Sequence, residues 1–138
     1  VKRDVERERG PIVTAKLETA RTRRAAVALS APSRRPAEVA RSLALAHQLR
    51  RLLDDSDVPS VSELAVRLGV TQPRITQLVN LTYLAPAAQD EIIRLEAVNG
   101  VEPASERALR DVLREVGWVA QGRRWSAVRD ARRGRGGR

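Results

Sequence analysis

The chain of 138 residues has no cysteine, no methionine and no phenylalanine, and it carries one histidine. Without cysteine there are no disulfides, no thiolate metal site and no cysteine nucleophile. His47 alone cannot assemble a metal-ligand set, so it reads as a structural or surface residue. No apolar run approaches the roughly 18 residues that span a bilayer, so no membrane partner is expected. The N-terminus lacks the apolar segment of a secretion signal, which makes the cytoplasm the expected compartment. No serine, histidine and aspartate converge in the sequence. The Gly-Arg-Gly-Gly run near the end follows no strand and is no phosphate loop. These absences predict a protein that is not an enzyme, with no cofactor and no metal. The apolar residues that remain are mainly alanine, valine and leucine, which suit close helix packing. The expected fold class is all-α, a small helical bundle.

Charge is what the chain has in excess. A net charge of +9 fits a polyanionic partner. It is unevenly placed: residues 1–42 hold 11 basic and 5 acidic side chains, and residues 105–138 hold 10 and 4. Between them, residues 84–104 hold 1 basic and 4 acidic. Arginine outnumbers lysine by 24 to 2. Arginine suits bidentate phosphate and guanine contacts, although a GC-rich genome produces the same bias.

The order along the chain predicts three segments. Residues 1–35 form a basic N-terminal arm, partly disordered, with a helix over Thr14–Leu29 and a break at Ala31–Pro36. Residues 36–126 form the helical domain. Residues 127–138 are a disordered Arg/Gly tail that resembles a short RGG-type segment. Within the domain, Pro36–Asp54 is the longest helix, with Pro36 at its first position and Val39, Leu43, Ala46, Leu49, Leu52 and Leu53 on its apolar face. Ser60 and Glu63 make a capping box for a helix with Val61, Leu64, Ala65 and Leu68 inward. Gly69 ends that helix. Thr71 caps the next one, with Pro73 in its first turn and Ile75, Leu78 and Val79 inward. A further helix runs from Leu84–Pro86 to about Val98 and stops at Asn99–Gly100. Ser105 starts another to about Val116, with Ala108, Leu109, Val112, Leu113 and Val116 inward and Gly117 as its stop. Trp118 and Trp125, seven apart, share a helix face; they are expected in the core, the alternative being that with Arg123 and Arg124 between them they stack on bases.

Ala65, Gly69, Val70 and Ile75 stand at the small, glycine, apolar and branched-apolar places of a helix-turn-helix. The stretch LAVRLGVTQPRITQLVNLTYLAP resembles the helix-turn-helix of ParB/KorB-type DNA-binding proteins. With ALAH before it and SERALR, Trp118 and Trp125 after it, the chain is similar over roughly residues 40–125 to small bacterial proteins encoded beside recombinases on mobile elements. The resemblance implies a helix-turn-helix bundle that reads duplex DNA with the helix at about 71–82. Gln72, Pro73, Thr76 and Gln77 match the family's base-contacting places. Glutamine can pair with adenine, threonine can meet a thymine methyl, and Arg74 could take guanine or a phosphate. Ser62, Thr71 and Asn80 suit phosphates, which orient the protein without reading sequence. Arg107, Arg110 and Arg114 could clamp a backbone, or form a solvated face paired with Glu106, Asp111 and Glu115.

Double-stranded DNA is therefore the expected partner, for a regulator or accessory factor of a mobile element, which would place the protein at the nucleoid. A homodimer and a recombinase or other protein partner stay open. So do two other readings: a protein–protein adaptor, and a nonspecific nucleic-acid binder, RNA included, that uses its basic arms.

Overall fold

The computed structural model describes residues 31–55, 58 and 60–136. The expectations for residues 1–30, including the helix at Thr14–Leu29, lie outside the described residues. Arg35–Arg138 make up one compact unit, and it contains all the helices described below.

Among the described residues there are six α-helices: α1 (Glu38–Asp54), α2 (Val61–Leu68), α3 (Gln72–Asn80), α4 (Pro86–Ile92), α5 (Glu106–Leu113) and α6 (Trp118–Arg135). A 3-10 turn, Leu81–Tyr83, joins α3 to α4. Two short strands, β1 (Arg34–Pro36) and β2 (Glu96–Val98), pair with each other. The molecule is thus mostly α-helical, with a small ribbon that the all-α expectation did not include.

Helix α1 buries Val39, Ala40, Leu43, Ala46 and Leu49, a stripe at helical spacing. It packs against α3, the 3-10 turn, α4 and α5 and forms the centre of the core. Around it, Ile75, Leu81, Leu84, Ile92, Leu109 and Val112 are fully buried. Each such side chain contributes roughly 1.5–3 kcal/mol by leaving water. No large aromatic ring is needed except Trp125, which is 3% exposed.

Five of the six helix starts fall into two groups; the sixth, α6, follows Gly117 and has no side-chain cap. Ser60, Thr71 and Ser105 each accept a hydrogen bond from the backbone N–H three residues on, at 3.1, 3.3 and 3.1 Å. These are local caps, as the sequence predicts. Helices α1 and α4 have no cap of their own. Glu102 supplies one, its Oε2 accepting from the Glu38 N–H at 2.9 Å. Gln121 supplies the other, its Oε1 accepting from the Ala85 N–H at 2.7 Å.

Four expectations are corrected. Pro36 ends β1 instead of opening α1, because the Ala37 N–H is drawn into a bond with the Leu95 carbonyl at 2.9 Å. The helix predicted to reach Val98 stops at Ile92, and Glu96–Val98 is a strand. Asn99 and Gly100 both have positive φ and sit in a tight turn between Val98 and Val101, which bridge antiparallel. Asn-Gly is the preferred pair for such a turn, so it marks a hairpin and not a helix end. Val116 and Trp118 are not in the core; they are 92% and 64% exposed. Leu52 and Leu68, also expected inward, are exposed near the ends of α1 and α2. Seven residues share an azimuth, but at 1.5 Å per residue Trp118 lies about 10 Å ahead of Trp125 along the axis. The first buried residue of α6 is Gln121, against Ala85. Finally, the tail from 127 is helical to Arg135. Arginine is a good helix former, and Arg129 and Arg132 bond to Glu91 and to the Glu102 carbonyl.

Candidate nucleic-acid interface

Helix α2 ends at Gly69, whose φ of 67° and ψ of 30° are left-handed. Any other residue would pay roughly 1–2 kcal/mol there. The Val70 N–H bonds back to the Ala65 carbonyl at 3.1 Å and tightens the turn. Only Val70 and Thr71 separate this glycine from α3, so the two helices are held at a fixed angle through buried Leu64, Ala65, Ile75 and Leu78.

On α3 the inner row is Ile75, Leu78 and Val79. Gln72, Pro73, Thr76, Gln77 and Asn80 are all exposed. The expected outward face is therefore continuous along the helix. Ser62, from α2, joins it: the Gln72 Nε2 donates to the Ser62 Oγ at 2.8 Å. Thr71 uses its oxygen as the cap acceptor for the Arg74 N–H. Its hydroxyl proton stays available as a donor.

Arg74 is placed differently from its neighbours. Its guanidinium turns toward α5 and grips Glu106 with two hydrogen bonds, 2.5 and 3.2 Å. Ser42 on α1 donates to the same carboxylate at 3.4 Å. The Arg74 hydrogen bond holds the Glu106 carboxyl below its ordinary value, against the opposing effect of burial. Glu106 in turn raises the guanidinium further. The charge of Arg74 is thus matched within the protein, and the pair ties α3 to α5 and α1. Nothing in the local sequence signals this pair, because its members are 32 residues apart.

Helix α5 flanks the outer face. Arg110 donates to the Gln77 Oε1 at 3.4 Å. Arg107, one turn earlier, is exposed and has no side-chain partner among the described residues. Arg114 pairs with Asp111 at 3.4 Å, as the solvated-face alternative has it. The assembled surface is a row of amides and hydroxyls on α3, with Ser62 on one side and Arg107 and Arg110 on the other. Neutral groups of this kind can donate and accept hydrogen bonds at base edges, and the arginines can meet phosphates.

His47 lies outside this surface. Its Nε2–H donates to Gln89 Oε1 at 2.7 Å, while Gln89 donates to the carbonyls of Thr82 and Leu84 at 3.0 and 2.8 Å. The histidine therefore steadies the link between α3 and α4. Among the described residues no three acidic or histidine side chains come together to hold a metal ion. No described helix is long and apolar enough to cross a membrane. In comparisons with known proteins, the chain matches no family model, no curated protein and no solved structure.

Proposed function

We propose that this protein binds duplex DNA, with α2 and α3 acting as a helix-turn-helix and α3 lying in the major groove. The observation that carries the reading is the split of α3 into a buried apolar row and an exposed polar row. Gln72, Thr76 and Gln77 meet base edges, and Pro73 packs beside them. Ser62, Thr71, Asn80, Arg107 and Arg110 meet the backbone. Arg74 takes no base in this scheme; it sets the angle of the reading helix through Glu106. The resemblance to ParB/KorB-type segments points the same way, toward a regulator or accessory factor of a mobile element.

The test is a selection of bound duplexes from a random pool, followed by titrations of the best sequence with wild-type protein and with Gln72→Ala/Gln77→Ala. The double variant should keep its thermal midpoint and lose preference for the selected sequence, by about 1–3 kcal/mol for each base pair read. Equal preference in the two proteins would rule out reading by α3.

A second reading, a protein–protein adaptor, has one observation in its favour. Val66 is 80% exposed on α2, and Leu68 and Val70 are exposed close by. Under that reading Val66→Asp abolishes partner binding, and the glutamine variant changes nothing.

A further inference from the structure

A groove of about 690 Å³ runs between α6 on one side and α4, β2 and the loop after β2 on the other. No residue of α2 or α3 lines it, so it is separate from the candidate DNA face. Leu95, Val98, Val101 and Trp125 provide its apolar surface. Val101 is left 66% exposed. The volume falls among small-molecule sites, which span about 300–1,000 Å³.

The charges around the groove are unequally committed. Four acids line it, and three have partners. Glu91 accepts from the Trp125 Nε1–H at 2.9 Å and from Arg129 at 2.9 Å on both oxygens. Glu102 is spent on Arg35 at 2.5 Å and on the Glu38 N–H at 2.9 Å. Glu96 is engaged as well. Asp90 remains. Four arginines also line the groove, and only Arg129 is neutralised by a carboxylate in direct contact. Arg132 donates to the Glu102 backbone carbonyl, which is neutral, so its charge and its other N–H groups stay available. Arg94 and Arg133 have no hydrogen-bonded side-chain partner among the described residues. An apolar surface thus lies beside several cations whose N–H groups are free to bind.

We propose that this groove binds a small amphipathic anion. Its apolar body, an acyl chain or a pair of rings, covers Val98, Val101 and the edge of Trp125. Its carboxylate, sulfonate or phosphate is held by Arg133 and Arg132, with Arg94 across from them. Arginine forks suit such oxyanions. A neutral ligand would cover the arginines without pairing them, and a cation would find Asp90 alone against three arginines that lack a carboxylate partner.

The experiment uses the full chain carrying Trp118→Phe, which leaves Trp125 as the single tryptophan. The probe is anilinonaphthalene sulfonate, read by energy transfer from Trp125. Decanoate and decanol serve as competitors. Saturable binding is expected, with decanoate displacing the probe about tenfold better than decanol. Arg133→Ala should weaken decanoate by about tenfold, and Val101→Asp should remove the site. Both residues are exposed, so both variants should keep the wild-type thermal midpoint. Three results would overturn the proposal. The two variants bind like the parent, decanol competes as well as decanoate, or an acidic amphipathic peptide displaces the probe where decanoate does not. None of these bears on DNA binding by α3, which is measured separately.

Discussion

Helix α3 contains one arginine and α6 contains six. The single arginine of α3 is turned sideways to Glu106 on α5, and what the helix presents outward is uncharged: two glutamines, a threonine, a proline and an asparagine. On α6, Arg129 and Arg132 hold the helix to Glu91 and to the Glu102 carbonyl, while Arg123, Arg124, Arg133 and Arg135 stand in solvent. Under the proposed function, the two helices would separate two tasks that a count of basic residues would merge. Neutral hydrogen-bonding groups can tell one base from another, whereas scattered cations attract any polyanion. Net charge points to the kind of partner, and the uncharged row on α3 is where selectivity would reside.

The sharpest break of this comparison is at α6. Trp125→Ala should cost about 3–5 kcal/mol in denaturant unfolding, from the lost burial and the cavity left behind. Trp118→Ala, seven residues away and exposed, should stay within about 0.5 kcal/mol of wild type. Equal costs would mean that the two rings share the core after all. Next comes Arg74→Ala. The guanidinium is half exposed, so the stability loss should be only about 1 kcal/mol. DNA affinity should nevertheless fall alike for selected and random duplexes, since in the proposed function the residue positions α3 and reads nothing. Arg74→Lys should not restore it, because a lysine cannot make the two-pronged contact. Selective loss at one base pair would instead make Arg74 a reader.

The smallest expected effect is in acid. Glu106, Glu91 and Glu102 are all held below the ordinary value of 4.5, chiefly by Arg74, by the Trp125 N–H and by the Glu38 N–H respectively. A carboxyl lowered in the folded state adds stability above its unfolded value and loses it as pH falls through the folded one. Stability should therefore decline below about pH 4.5, measured by thermal melts across acid buffers. Glu106→Gln should flatten part of that decline, and an unchanged slope would mean that the Arg74 contact is not formed in solution.

Much of the candidate face was legible because its determinants are local. Ser60, Thr71 and Ser105 cap from within three residues, and Ile75, Leu78 and Val79 reveal the inner row of α3 by spacing alone. The misses have the opposite character. The strand at Glu96–Val98 sits where Ile92, Ile93, Leu95 and Val98 mimic a helical period, and only the Asn99-Gly100 pair marks the hairpin. The grip of Arg74 on Glu106, and the exposure of Trp118, depend on where elements lie along one another. Periodicity fixes which side a residue faces, and contains nothing about how far along its helix the neighbour extends.

The caps borrowed by α1 and α4 bear on how the chain matures. The Glu38 amide waits for a carboxylate 64 residues downstream, and the Ala85 amide waits for an amide oxygen 36 residues downstream. Both donors leave the ribosome before their acceptors do. The earliest helix of the unit is thus completed only after a much later loop has been synthesised, so the domain should acquire its full stability in one late step and not helix by helix.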